Sequence, residues 1–426
     1  METLQEHGQV FIILACLFGL YMTWGIGAND VANAMGTSVG SGAITIKQAI
    51  LIAAVFEFAG AVLAGGHVTE TFRNGIIDPQ VVSDSPEQLV FGMLGSLLGS
   101  ALWLMLATSR GWPVSTTHSI VGAIVGFAVV GVGSHAVQWE QMGAIIGSWV
   151  ISPVLGGGIA FALMSSIRRL ILDQEHPFEQ ARRWAPFYLF LVGWTVTMVS
   201  MFKGLEHLHI DLDATGSFLL ALGVGVTMAG VGKVMVDRVA RDETADREFH
   251  FASVEKVFSP MMVFTACAMA FAHGSNDVAN GIGPMAAVVD VVRNVQSGAA
   301  EVVGQKSPLP LWILLSGGCA IVVGLATYGF KVMETIGTKI TELTPTRGYS
   351  ATLAAALTVV LASRTGLPVS TTHIAVGAVM GVGLARGIGA IDLRVLGGIL
   401  ISWLLTLPAA AFFSIVAFYI LRGLFG

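Results

Sequence analysis

Two short strings, each present twice, hold most of the polar chemistry of this chain. Asn29-Asp30-Val31-Ala32-Asn33 returns as Asn276-Asp277-Val278-Ala279-Asn280. Pro113-Val114-Ser115-Thr116-Thr117-His118 returns as Pro368-Val369-Ser370-Thr371-Thr372-His373. The first string offers carboxylate and amide oxygens, hard ligands of the kind Na+ prefers over nitrogen or sulfur. Asp30, Asn33, Asp277 and Asn280 are the suspected Na+ ligands, with Asn29 and Asn276 beside them. The second string reads as the start of a helix, with proline in the first turn. Unpaired N–H groups and partial positive charge there favour an anion. Ser115, Thr116, Thr117, Ser370, Thr371 and Thr372 are therefore candidate ligands of a small oxyanion. Asp30 and Asp277 join them, and His118 and His373 support them. No Lys or Arg lies in either string, so a bound anion needs co-bound cations or protons. Glu57, alone among apolar neighbours in Phe56-Glu57-Phe58, reads as a coupling residue. The plainer alternatives are buried amides at a helix interface, hydroxyls acting only as caps, and histidines bonded to their own turns. Glu57 could likewise bond to backbone or face a water pocket.

These strings sit in a chain made for lipid. Of its 426 residues 54% are hydrophobic and only 12% charged, against about 25% charged in soluble proteins. Uncharged runs such as Leu89 to Ser109 and Trp312 to Phe330 recur throughout, each about long enough to cross a bilayer as a helix. The 52 glycines suit close helix packing in lipid. Cys16, Cys267 and Cys319 fall in apolar stretches without metal or disulfide spacing. The first apolar stretch follows Glu2 and Glu6 and reads as a true span, not a cleaved signal. No GxxxxGK[ST] loop supports ATP-driven transport, and no nucleic-acid partner is expected.

Each Asn-Asp string lies mid-span, where an aspartate costs at least a few kcal/mol unless it meets a cavity, a partner or an ion. Gly25, Gly27, Gly36, Gly40 and Gly42 flank the first copy. We therefore expect broken or re-entrant helices lining a polar cavity. Basic residues mark cytoplasmic loops. Residues 1–46 contain no Lys or Arg. Lys47, Arg110, the loops 165–184 and 233–258, the segment 331–347 and Arg386 read as inside. The loops 67–87, 134–140, 203–214 and 291–309 and the turn at Arg364 read as outside, as do both termini. Arg293, Lys306 and Arg364 run against the rule. About twelve crossings result. Residues 1–164 form a first repeat of five crossings, 165–258 a linker with two helices and cytoplasmic loops, and 259–426 a second repeat of five. Seven crossings separate equivalent points, so the repeats are inverted, a recurring plan in secondary transporters. Ser148-Trp149 returns as Ser402-Trp403, and Gly122 and Gly126 match Gly377 and Gly381.

With these residues in place, the chain resembles the inorganic phosphate transporter (PiT) family over almost its whole length. Gly27 to Ala34, both Pro-Val-Ser-Thr-Thr-His strings and Phe56-Glu57-Phe58-Ala59-Gly60 match that family's motifs. The run Gly36 to Gly42 looks like its sodium-coupled branch. The resemblance implies a twelve-helix, often dimeric symporter, and not an enzyme. It would carry inorganic phosphate with Na+ or H+ across the inner (plasma) membrane and need no cofactor beyond the coupling ion. It departs at Thr352, which stands where many relatives have an acid, and in lacking the long cytoplasmic loop of eukaryotic members. The competing readings are a sulfate permease, a phosphate–divalent metal symporter driven by H+, and a membrane enzyme using Asp and His as acid and base. The duplication weighs against the enzyme, because catalysis usually needs distinct roles.

Overall fold

The computed structural model describes residues 2–83, 85–202, 213–298, 309–330, 332–333, 343–363, 365–387 and 393–426. Lys203, Lys306 and Arg364, which bear on the orientation of the loops, lie outside these residues, as does most of 203–214 and 331–347. Among the described residues every named element is helical, and one isolated bridge joins Ile77 to Val137. The helices are α1 (Glu2–Gly40), α2 (Ile46–Ala64), α3 (Gly66–Glu70), α4 (Pro79–Val82), α5 (Pro86–Ser109), α6 (Thr116–Phe127), α7 (Trp139–Ile167), α8 (Pro177–Phe202), α9 (Ala214–Asp237), α10 (Glu243–Glu248), α11 (Ala252–Ser297), α12 (Leu311–Tyr328), α13 (Pro345–Ser363), α14 (Thr371–Arg386) and α15 (Leu393–Phe425). Against about twelve expected crossings, eight helices among the described residues are long and apolar enough to span a bilayer. α6 and α14 are shorter: 16 residues in α14 reach only about 24 Å at 1.5 Å per residue, short of a core of about 30 Å.

One expectation is overturned. α1 and α11 run unbroken through the two Asn-Asp strings, over 39 and 46 residues. The glycines serve another purpose. Gly27 on α1 leaves room for the Ile321 carbonyl of α12, and Gly324 on α12 leaves room for the Trp24 carbonyl of α1. Gly60 on α2 admits the Phe271 carbonyl of α11, and Gly274 on α11 admits the Glu57 backbone of α2. These helix pairs touch backbone to backbone, which only glycine permits. Where neighbours come that close, the helix need not open to bury its polar groups.

The breaks lie instead just ahead of α6 and α14. Gly111 (φ +67°) and Gly366 (φ +71°) turn the chain in the left-handed region that glycine adopts freely. Pro113 and Pro368 then lie outside the helices and not in their first turns. The extended residues Ser115 (φ −83°, ψ 117°) and Ser370 (φ −84°, ψ 106°) are the caps. α6 then packs on α5 and on α15, and α14 packs on α13 and on α7. Each short helix thus leans on the last long helix of the other copy. Gly122 fits against Leu407 and Gly377 against Pro153, so the exchange is made through matching glycines.

Residues 67–87, expected as a loop, fold as α3, a π-helical turn at Thr71–Gly75 and α4. Arg73 in that turn is buried and paired with Asp290 of α11, with Glu70 at 3.6 Å. The hydroxyl of Thr71 donates to the carbonyl of Gly366 at 2.7 Å, tying this segment to the turn before α14.

Candidate functional site

The two Asn-Asp strings and the starts of α6 and α14 meet at one buried place. On α1, Asp30 accepts the Thr116 hydroxyl at 2.6 Å; on α11, Asp277 accepts the Thr371 hydroxyl at 2.7 Å. The asparagines cross over. Asn33 donates to Thr371 at 3.3 Å and to Thr372 at 3.0 Å, while Asn280 donates to Thr116 at 3.1 Å and to Thr117 at 3.2 Å. Each threonine pair is therefore held by the aspartate of its own copy and the asparagine of the other. The Thr117 hydroxyl donates to the Val369 carbonyl at 3.1 Å and that of Thr372 to the Val114 carbonyl at 3.3 Å, binding the two entry turns together. Asp30 is 1% exposed and Asp277 0%.

The remaining expected residues are close by but differently engaged. Ser115 and Ser370 accept the backbone N–H of His118 and His373 at 3.1 and 3.2 Å, so they cap their helices. Asn29 donates to Thr108 at 2.9 Å and to the Trp112 carbonyl at 3.0 Å, and accepts from Val114 N–H. It braces the turn before α6. Asn276 donates to Asp277 at 2.6 Å and to the Val369 carbonyl at 3.0 Å. His118 and His373 stand behind the helix starts. Their rings lie 4.3 Å apart, centroid to centroid, in a column capped by Trp149 at 3.8 Å and Trp403 at 3.6 Å. The duplicated Ser-Trp pairs thus supply the outer rings of that column. Thr352 shares a hydrogen bond of 2.6 Å with Thr37.

Sequence reasoning missed His273. It lies one turn before Asp277 on α11, fully buried, with Nδ1 3.2 Å from Glu57 Oε1 and Nε2 3.0 Å from Asp277 Oδ2. Glu57 is therefore not alone: it faces a histidine that faces the site. The signal was available in the comparison of the two strings, where Ile26 holds the position that is His273 in the second copy. An oxygen of Asp30, an oxygen of Asp277 and a ring nitrogen of His273 all lie within 4.8 Å of one another. Asp30 Oδ1 and Asn280 Oδ1 are buried there without a hydrogen-bond partner. Buried polar oxygens normally have one. Such oxygens fit a hard cation, which meets them at 2.3–2.6 Å in calcium sites, for instance. The adjoining helix starts and hydroxyls fit a small oxyanion.

The profile of the phosphate transporter family matches residues 26–414. A Haemophilus influenzae protein named as a phosphate permease is 47% identical over the full length of both chains. The chloroplastic inorganic phosphate transporter 2-1 of Arabidopsis thaliana is 42% identical, over 94% of this chain and 70% of that one. Among solved structures, one titled the sodium-dependent phosphate transporter superposes with a TM-score of 0.87 at 40% identity, covering 97% of this chain and 99% of that one.

Proposed function

This chain belongs to the phosphate transporter family, a family of multi-pass membrane transporters and not of enzymes, and we propose that it is a symporter that couples inorganic phosphate to Na+. The observation that carries the reading is the crossed set of bonds among Asp30, Thr116, Asn280, Asp277, Thr371 and Asn33. It puts neutral donors and two carboxylates at the starts of two short helices, with no lysine or arginine among them. An anion held by neutral donors in a buried site repels the carboxylates unless cations enter with it. Cotransport with a cation follows from that electrostatics. The partnerless oxygens of Asp30 and Asn280 support Na+ as the cation, and so does the sodium dependence for which the solved relative is named.

Binding must reorganise the site. The Thr116 and Thr371 hydroxyls donate to carboxylates here, so phosphate receives those protons only when a cation draws Asp30 and Asp277 away. That order, cation first and anion second, couples the binding of the two. The remaining donors are the Asn33 and Asn280 amides and the first N–H groups of α6 and α14. Inverted orientation of the two copies in the inner membrane is part of the same proposal, supported by their reciprocal packing. It supplies two equivalent faces, one for each side of the bilayer.

The test is uptake of labelled phosphate into proteoliposomes under imposed Na+ or pH gradients. Uptake driven by a Na+ gradient at equal pH is the expected result. Uptake driven only by a pH gradient would replace Na+ by H+, and uptake of sulfate in preference to phosphate would replace the substrate.

A further inference from the structure

Away from the aspartates, basic residues from distant parts of the chain come together at one end of the bundle. Arg168 caps the end of α7, Arg347 lies in the first turn of α13 and Arg386 in the last turn of α14. All three line one cavity of about 320 Å³, with Met164, Phe249 and Phe251 in its apolar wall. Arg168 also donates to the Ala385 carbonyl at 2.7 Å, joining the ends of α7 and α14. Among the described residues two carboxylates line the same cavity. Glu255, in the first turn of α11, is taken up by Thr346, whose N–H and hydroxyl donate to it at 2.8 and 2.9 Å. Asp173 stays 3.8 Å from Arg168, beyond hydrogen-bond reach. Three guanidiniums against two carboxylates leave the described lining net positive. Basic residues at cytoplasmic helix ends are the common pattern. Their convergence on a cavity with aromatic walls is not part of that pattern.

We propose that this cavity binds the headgroup of an anionic phospholipid. Arg168, Arg347 and Arg386 surround the phosphodiester, and Met164, Phe249 and Phe251 lie beside the glycerol and the first acyl methylenes. Guanidinium forks match phosphate oxygens two N–H bonds at a time. Basic pockets between membrane helices on the cytoplasmic side are where acidic headgroups bind. The wall chemistry favours a lipid over free phosphate. The cavity is larger than one phosphate ion needs, and that ion gains nothing from phenyl rings. Phe161 and Leu155 on α7 are exposed, an apolar surface for acyl chains that begins two turns before Arg168. The headgroup lies far from the ion site: Arg386 and Thr371 stand at opposite ends of α14, about 22 Å apart along its axis. A lipid there ties α7, α13 and α14 together. It steadies the helix that carries Thr371 and Thr372 without touching what they bind.

The experiment uses the full chain, purified in detergent and stripped of lipid. Dioleoylphosphatidylglycerol is the probe and dioleoylphosphatidylcholine the zwitterionic control. Native mass spectrometry reads lipid affinity, and thermal unfolding reads the stabilisation that each lipid gives. The wild type should bind phosphatidylglycerol about tenfold or more tightly than phosphatidylcholine and melt at a higher temperature with it. The double variant Arg168→Gln/Arg386→Gln should lose both preferences. Lysine at the same two positions should keep part of them, because an ammonium keeps the charge but not the fork. Arg169→Gln, next in the chain but outside the cavity lining, should behave as wild type. Should the double variant fail to fold, the lysine pair and Arg386→Gln alone, at an exposed position, decide the matter. Equal affinity of the wild type for the two lipids would overturn the proposal, as would a full preference in the glutamine variants. An equal loss in Arg169→Gln would reduce the effect to general surface charge and overturn it too. Inorganic phosphate, with ionic strength held constant by chloride, should leave the bound lipid in place; displacement would assign the cavity to free phosphate and end the lipid assignment.

Discussion

Thr116 donates its hydroxyl to Asp30 at 2.6 Å, and the same oxygen receives the Asn280 amide from the other copy at 3.1 Å. One side chain therefore links both aspartate strings to a helix start. Thr116→Val and Thr371→Val keep the shape and remove that link. Loss of one neutral hydrogen bond should weaken phosphate binding by roughly 0.5–3 kcal/mol while leaving slow transport. Equilibrium binding of labelled phosphate measures it. An unchanged affinity would mean that the hydroxyl does not reach the anion.

Choice of phosphate over sulfate should depend on Asp30 more than on Asp277. Near neutral pH phosphate keeps a proton that a carboxylate can accept, whereas sulfate has none to give. Asp277 already meets His273, Asn276 and Thr371, while Asp30 Oδ1 has no partner. Asp30→Asn should thus narrow the phosphate-to-sulfate preference, and Asp277→Asn should narrow it less. Competition of sulfate against labelled phosphate reads this directly; the same ratio in wild type and both variants removes carboxylates from selection.

Glu57→Gln should fold, because the amide keeps the shape of the carboxylate that lies 3.2 Å from His273 Nδ1. It should nonetheless cut coupled uptake by ~10-fold or more, since the imidazole loses the charge that orients it. Thermal unfolding and Na+-driven uptake, measured side by side, separate the two effects. A stable variant with wild-type uptake would limit Glu57 to packing.

The backbone contacts at glycine give a structural control. A methyl at Gly27 or Gly274 would meet the Ile321 carbonyl or the Glu57 backbone, neither of which can swing aside. Gly27→Ala and Gly274→Ala should each lower stability by about 1–3 kcal/mol or more through overpacking. Gly143→Ala, which meets open space, should leave stability unchanged or raise it slightly. Equal melting temperatures for all three would contradict the close approach of α1 to α12 and of α2 to α11.

Orientation is open to labelling in a background without Cys16, Cys267 and Cys319. Glu140→Cys, in the first turn of α7, should react with an impermeant thiol reagent added outside the cell, and Thr244→Cys in α10 should react only after lysis. The reverse pattern would end the arrangement with Lys47 inside and both termini outside.

Much of this molecule can be read from order and composition alone. Length, charge scarcity and apolar runs determine a multi-helix membrane protein, because lipid tolerates little else. Duplication of the Asn-Asp and Ser-Thr strings names the residues that meet, since chemistry buried in lipid must be matched by partners. Only the tertiary structure decided how they pair. Asn33 reaches Thr371 and Thr372, and Asn280 reaches Thr116 and Thr117, across the copies and not within them. It also changed the meaning of the glycines: a small residue in a helix either opens the backbone or admits a neighbour, and composition does not distinguish the two. The neighbouring carbonyls at Gly27 and Gly60 do. His273 escaped notice for a related reason. A histidine one turn from an aspartate stands out only against its apolar counterpart Ile26 in the other copy, and its role emerges when α2 brings Glu57 to its other nitrogen. Sequence sets which groups require a partner in lipid; packing decides which partner each one gets.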